Sequence, residues 1–219
     1  MELRQLFPGV YLINNRIATL NFARGRKVYG EELVTIDNNE YRLWNPYRSK
    51  LAAAMKTGLR NFGIKTGSRV LYLGAATGTT SSHVSDIVGK EGRVYGVELS
   101  ERNMRDFMSV CERRSNMLPI LADARYPDSY SGTVGQCDVI YQDVSARDQA
   151  HILLENCRFL KKDGMAYFVI KSQSVDISKN PSEVYKNELE KLRGKFSVIE
   201  RLGLEPYDSL HMFAVLRKI

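Results

Sequence analysis

The chain of 219 residues carries 32 Lys plus Arg against 25 Asp plus Glu, a net charge of +7, and 43% of its residues are hydrophobic, enough for a real core and too many for wholesale disorder. No run of about 18 apolar residues is present to span a membrane, and residues 1–8 lack the long apolar stretch of a secretory signal, so the expectation is a soluble, cytoplasmic protein with no membrane partner. Cys111, Cys137 and Cys157, with His83, His151 and His211, show neither a disulfide framework nor metal-ligand spacing, and no metal is expected.

The first 45 residues read as strands and turns. Residues 10–13 and 17–20 flank Asn14-Asn15-Arg16, and residues 33–36 and 41–44 flank Asp37-Asn38-Asn39-Glu40, each pattern that of a hairpin. A small antiparallel β domain over residues 1–48 is expected, too short to hold a core alone. Asn45-Pro46 reads as a helix start, with Leu51, Met55, Leu59 and Phe62 forming an apolar stripe.

From residue 49 to 219 strands alternate with helices. Strands are predicted at 69–73, 94–98, 118–121, 138–141 and 165–170, with a helix over 146–160 and a charged helix over 182–193. Two last strands cover 196–203 and 211–217. This alternation implies a doubly wound, mostly parallel α/β sheet with right-handed crossovers.

In such a sheet ligands sit beyond the carboxyl ends of the strands. The first of these strands runs into Gly74-Ala75-Ala76-Thr77-Gly78-Thr79-Thr80. No lysine follows the loop, which rejects a P-loop, and Ala76 and Thr79 stand where a dinucleotide fingerprint needs glycines. S-adenosylmethionine, a donor without phosphates, suits the loop better. Glu98, Asp123 and Asp143 end three successive strands, where carboxylates can meet ribose hydroxyls and an adenine amino group. Taken singly, Glu98 reads equally as a solvated strand-end residue, and each Asp as a helix cap.

The chain resembles the fibrillarin family in Glu40-Tyr-Arg-Leu-Trp-Asn-Pro-Tyr-Arg-Ser-Lys50-Leu-Ala-Ala-Ala54, Tyr72-Leu-Gly-Ala-Ala-Thr-Gly-Thr-Thr80, Ser82-His-Val-Ser-Asp86, Val94-Tyr-Gly-Val-Glu-Leu-Ser100, Asp123-Ala-Arg125 and Leu204-Glu-Pro-Tyr207 followed by His211. The resemblance implies a Rossmann-like methyltransferase that moves a methyl group from S-adenosylmethionine to ribose 2′-hydroxyls of ribosomal RNA, and of transfer RNA. It places the donor against Gly74, Ala75, Thr79 and Thr80, its ribose at Glu98 and Leu99, its adenine at Asp123 and Ala124, and its methionine side at Asp143, Val144, Ser145 and Ala146. The family's Lys-Asp-Lys-His set falls on Lys50, Asp143, Lys171 and His211. It further implies a box C/D guide RNA, a target ribosomal RNA, a Nop-type scaffold protein and a kink-turn-binding ribosomal-type protein as partners. Asp208-Ser209-Leu210 is less charged than the family's run, and Val144-Ser145-Ala146 differs from its Val-Ala-Gln. The chain lacks a Gly/Arg-rich amino-terminal extension and looks like the archaeal form.

The chemistry so implied needs alignment and removal of one hydroxyl proton. Lys171, at the end of a buried strand, is the candidate base, and Asp143 its orienting partner. Lys50 stands near a helix start, where the dipole disfavours a cation and a ligand-facing role fits. Arg24, Arg26, Lys27, Arg48, Arg102, Arg105, Arg113 and Arg114 are candidates for a phosphate path. A silent RNA-binding scaffold and a methyltransferase for small molecules or proteins are the rival readings. The retained Lys50, Asp143 and Lys171 count against the first, and the positive charge against the second.

Overall fold

The computed structural model describes residues 2–219. Strands β1 (Leu3–Phe7), β2 (Val10–Ile13), β3 (Arg16–Leu20), β4 (Leu33–Ile36) and β5 (Asn39–Leu43) form an antiparallel sheet in the order β1-β2-β3-β5-β4. Both predicted hairpins are present with tighter turns than expected. Asn14 and Asn15 (φ 46° and 64°), and likewise Asp37 and Asn38 (φ 47° and 64°), are paired left-handed residues, the backbone of a two-residue type I′ turn that Asn and Asp tolerate. Strand β1 was not expected. Its residues are largely exposed, and it is ordered by pairing with β2 rather than by an apolar pattern.

The helix expected from Pro46 onward is broken. Asn45 accepts from the Tyr47 N–H at 2.9 Å and caps a single 3₁₀ turn, Pro46–Arg48. Ser49 then returns to extended backbone and caps α1 (Lys50–Lys56) by accepting from the Ala52 N–H. Two residues whose side chains bind nearby amides thus divide the segment. Gly58, at φ 106°, follows the helix end, so Leu59 and Phe62 pack from a loop and not from the predicted stripe.

The remaining chain runs β6 (Arg69–Leu73), α2 (Thr79–Val88), β7 (Arg93–Glu98), α3 (Glu101–Cys111), β8 (Met117–Leu121), β9 (Cys137–Gln142), α4 (Gln149–Asn156), β10 (Leu160–Lys171), α5 (Ser172–Val175), α6 (Pro181–Lys191), β11 (Phe196–Gly203) and β12 (His211–Lys218). The seven-stranded sheet has the order β11-β12-β10-β9-β6-β7-β8. Strands β8 to β10 along this order are parallel, and β12 pairs antiparallel with both β10 and β11. The helix expected over 146–160 is shorter, because a 3₁₀ turn at Cys157–Phe159 leads directly into the long β10.

Alternation along the strands sends Leu71, Leu73, Ile140 and Phe168 to the face covered by α4 and α6, and Tyr72, Tyr141 and Tyr167 to the other. On that second face the aromatic rings run across the sheet. Tyr72 stacks on Tyr141 at 4.5 Å, and Tyr167 lies 5.5 Å from Phe213. The same core takes in Val10, Leu12, Ile17 and Trp44 of the amino-terminal segment, so the two sheets share one apolar interior.

Between the amino-terminal sheet and α2 lies a buried polar seam. The Asp86 side chain, fully buried, is held by Arg42 at 2.8 Å and Arg114 at 2.6 Å. It also accepts from the Thr19 hydroxyl and the Phe22 N–H. Arg42 binds Glu31 as well, at 2.6 Å. Arg114, a candidate for the phosphate path, is therefore a structural residue only 1% exposed; Arg24, Arg26, Lys27, Arg48, Arg102, Arg105 and Arg113 do lie on the surface. Thr19 has one proton and gives it to Asp86, so the 2.7 Å contact with His83 Nδ1 needs an N–H on that nitrogen. Nε2 is then the acceptor for the Tyr29 hydroxyl, at 2.8 Å.

Burial first, then the Arg42 and Arg114 charges, push the His83 imidazole well below its ordinary range. It stays neutral in the fold, whereas in the unfolded chain it takes up a proton near pH 6.5. The unfolded state binds more protons below that value, so stability falls as pH drops from about 6.5 toward 5. In urea titrations across this window, His83→Gln should show a shallower loss of stability than the parent protein.

Candidate functional site

The order of the sheet reverses at β6. Strands β7 and β8 lie on one side of it, β9 and β10 on the other, which opens a crevice beyond the carboxyl ends of β6 and β9. Two close approaches shape its floor. Gly74 has φ +84°, and a Cβ there would lie 2.7 Å from the carbonyl oxygen of Asp143. Only a bare α-carbon lets the β6 end and residue 143 come together, as they do through the Asp143 N–H donating to Leu73 O at 2.9 Å. At Gly78, φ +94°, a Cβ would meet the Phe107 ring at 3.0 Å.

A cleft of about 880 Å³ extends from this floor along the ends of β7, β8 and β9. Of the predicted residues, Gly74, Glu98, Leu99, Asp123, Ala124, Asp143, Val144, Ser145, Ala146 and Lys171 line it. Glu98 is not a solvated strand-end residue. It is 8% exposed and accepts the Ala76 N–H on Oε2 and the Ser100 N–H on Oε1, both at 2.8 Å. Its oxygens keep lone pairs toward the cleft. Leu99 beside it is 61% exposed, an apolar surface on the wall.

Asp123 is clasped by Arg125, whose Nη2 reaches Oδ2 at 2.7 Å. These hydrogen bonds hold the Asp123 carboxyl below the usual carboxylate range. The sequence reading quoted Arg125 within a motif and gave it no role. Asn103 and Arg147 were likewise missed as wall residues, since nothing in their spacing sets them apart. Ala75, Thr79 and Thr80 stand behind the wall. The Thr80 hydroxyl donates to Ser49 Oγ at 3.0 Å and ties the first turn of α2 to that of α1. Thr79 begins α2, whose Gly78 cap offers no side-chain acceptor.

At the inner end of the cleft the four predicted catalytic residues meet. Asp143 follows β9 and receives Lys50 on Oδ2 at 3.2 Å and Lys171 on Oδ1 at 2.8 Å. Lys171 also donates to the Asp143 carbonyl at 3.1 Å and to Ser145 Oγ at 3.0 Å. Among the described residues, Asp143 Oδ1 accepts no aligned hydrogen bond, so Lys171 reaches it as an ion pair. His211 opens β12 directly opposite Lys171. Its link to the others is Asp208, which no motif flagged. Asp208 Oδ1 lies 2.7 Å from His211 Nδ1, and Oδ2 lies 3.7 Å from Lys50 Nζ. Nitrogen-bearing side chains and carboxylates thus alternate through Lys171, Asp143, Lys50, Asp208 and His211, each side chain less than a third exposed.

A parallel sheet with an antiparallel edge pair, a crevice at its switch point and an acidic strand end on the wall define a Rossmann-like methyltransferase. The Fibrillarin family model matches residues 1–218, and the chain belongs to the fibrillarin family. It is 49% identical over 218 residues to the fibrillarin-like rRNA/tRNA 2′-O-methyltransferase of Thermococcus gammatolerans, covering 97% of this chain and 96% of the relative. Aeropyrum pernix fibrillarin, solved with natively bound S-adenosyl-L-methionine, superposes with a TM-score of 0.91 at 43% identity, covering 99% of this chain and 98% of that one. A fibrillarin from a fibrillarin/Nop5p complex gives a TM-score of 0.88 at 37% identity, covering 99% of this chain and all 100% of its own.

Gly74→Ala should place a Cβ against the Asp143 carbonyl in a left-handed backbone. A loss of about 1–2 kcal/mol from the backbone alone, increased by the clash, is the expected outcome in urea denaturation.

Proposed function

We propose that the protein is the catalytic subunit of an RNA-guided ribose methyltransferase, acting on 2′-hydroxyls of ribosomal RNA and of transfer RNA with S-adenosylmethionine as donor. The observation that carries this reading is continuity: the cleft that suits the donor ends on the Lys50, Asp143 and Lys171 cluster. The relatives named as rRNA/tRNA 2′-O-methyltransferases and the neighbour with bound donor support it.

The residues fit the donor. The bare Gly74 permits close approach, Glu98 faces the ribose with Leu99 beside it, and Asp123 with Ala124 faces the adenine. Residues 143–146 take the methionine side, and the uncapped first turn of α2 at Thr79 and Thr80 suits its carboxylate. When bound, the donor supplies a methyl group on a sulfonium whose sulfur already leaves easily. The protein's own task is alignment, which supplies up to about 7–11 kcal/mol in well-oriented cases. Lys171 holds Asp143 and Ser145 in place, and Lys50 brings a positive charge to the acceptor side of the cluster.

Target choice is assigned to partners. The chain's elements are accounted for by the two sheets and their helices, and the surface arginines offer a sequence-independent grip on phosphate. A box C/D guide RNA pairs with the target, a Nop-type scaffold carries this subunit, a reading supported by the neighbour solved in complex with Nop5p, and a kink-turn-binding protein holds the guide. Among the described residues no helix is long and apolar enough to cross a membrane, and a cytoplasmic ribonucleoprotein is the setting proposed.

Glu98→Ala should weaken S-adenosylmethionine binding by about 1–3 kcal/mol, the cost of losing charge-assisted hydrogen bonds. Calorimetric titration of the folded variant checks this, and an unchanged affinity removes Glu98 from the ribose. The isolated protein should bind donor but leave free target RNA unmethylated. With guide and partners it should modify one nucleotide, and changing the guide's pairing should move the mark. Efficient site-specific methylation without any guide would falsify the guided reading.

A further inference from the structure

Methyl transfer to a hydroxyl needs a group that takes its proton, and the cluster contains several nitrogens and carboxylates that differ in how they are occupied. Lys171, the candidate from sequence, sits among three oxygens: Asp143 O at 3.1 Å, Ser145 Oγ at 3.0 Å and Asp143 Oδ1 at 2.8 Å. Its nitrogen is turned to donation. Lys50 lies between Asp143 and Asp208 in the same way.

His211 differs. Its Nδ1 lies 2.7 Å from Asp208 Oδ1 and 2.8 Å from the carbonyl oxygen of Ser209. A carboxylate and a carbonyl both accept, so Nδ1 carries the hydrogen. In the neutral ring Nε2 is then the basic nitrogen, and among the described residues it has no hydrogen-bond partner. The aligned bond from Nδ1–H runs to the Ser209 carbonyl and fixes the tautomer, while the Asp208 carboxylate, 29% exposed, stands beside the same nitrogen as an ion-pair partner, a placement that stabilises an imidazolium. The local chain builds it. Leu210 stands at φ +60° between acid and histidine. Its carbonyl accepts from the Ser172 N–H and hydroxyl at 3.3 and 3.0 Å, anchoring the turn to the end of β10.

We propose that Asp208 and His211 form an acid–base dyad in which His211 Nε2 takes the proton of the target 2′-hydroxyl and Asp208 is its positioning residue; this rests on the methyl-transfer reading above. As the O–H bond breaks, its proton passes to Nε2 and the oxygen's electron pair forms the bond to the methyl carbon. The pair of the broken S–C bond stays on sulfur, which becomes a neutral thioether. The imidazolium left behind is paired with Asp208 and, with the His211 side chain 23% exposed, passes its proton to solvent. The charged and titratable groups facing the dyad are Lys50 from α1, Asp143 after β9, Lys171 on β10 and Tyr185 on α6, whose hydroxyl is pushed up by burial and then by the Glu205 and Asp208 charges.

The test uses the full chain reconstituted with guide, target and partners, in single turnovers across about pH 5.5–8. The wild-type rate should fall toward the acid end of this range, because a base that already holds a proton takes no other. His211→Gln should lower the rate by about 10²–10⁴-fold and abolish that limb. Asp208→Asn removes the charge that favours the imidazolium, so it should slow the reaction and move the limb to lower pH, and Asp208→Glu should restore both. Donor affinity should stay within about two-fold in each variant. Independently of activity, ¹⁵N-histidine NMR of the free protein should show the Nδ1–H tautomer at His211 and an imidazole titration that moves to lower pH in Asp208→Asn. An Nε2–H tautomer, or His211→Gln turning over within a few-fold of wild type, overturns the dyad. A wild-type complex that binds donor yet methylates no RNA overturns the function instead, and the NMR arm still decides the tautomer and the Asp208 coupling.

Discussion

The Asp86 carboxylate, without solvent and without a counterpart on its own helix, is the constraint on which the placement of the site depends. Two guanidiniums from opposite sides of the seam neutralise it, Arg42 from β5 and Arg114 from the turn after α3. Breaking such a buried pair by removing one partner typically costs about 3–5 kcal/mol, because a charge is left stranded. The seam therefore fixes β5 against α2 in one register. Immediately after β5, Trp44 stacks on His83 at 4.5 Å, the capped 3₁₀ turn follows, and Ser49 meets Thr80 at the head of α2. Lys50 is the next residue. Its meeting with Asp143 across 93 positions of sequence ends a chain of fixed contacts that begins at Asp86.

The second organising feature is the closeness of the β6 and β9 ends. Gly74 permits it, and residue 143 is thereby shared between two tasks. Its backbone closes the floor of the cleft, while its side chain gathers Lys50 and Lys171. Shape and charge are coupled at one residue, so displacement of the loop after β6 shifts the Asp143 carboxylate with it.

Much of this was legible in the sequence for identifiable reasons. Strands β6, β7 and β9 are buried on both faces and read as unbroken apolar runs, and the glycine loop and strand-end acids have fixed places relative to them. Strand β1 was illegible because its neighbour, not its own pattern, orders it. The break at Ser49 was hidden by good helix formers around it. Arg114 was placed on a phosphate path, since an arginine's burial depends on distant partners such as Asp86 that a local window does not contain. Asp208 was passed over for a different reason: His211 is only three residues on, but the left-handed turn at Leu210 that folds it back toward the acid has no sequence signal.

Trp44 is the chain's single tryptophan, and the fold has placed it in the seam, 2% exposed, with its ring parallel to a neutral imidazole within 9°. The protein consequently carries one optical reporter at the junction of its two sheets. Its emission senses the docking of β5 on α2, because the imidazole of α2 is in ring contact with it only while the two are packed together. Separation of the amino-terminal sheet is thus spectroscopically distinct from events in the cleft, with no label added to the chain.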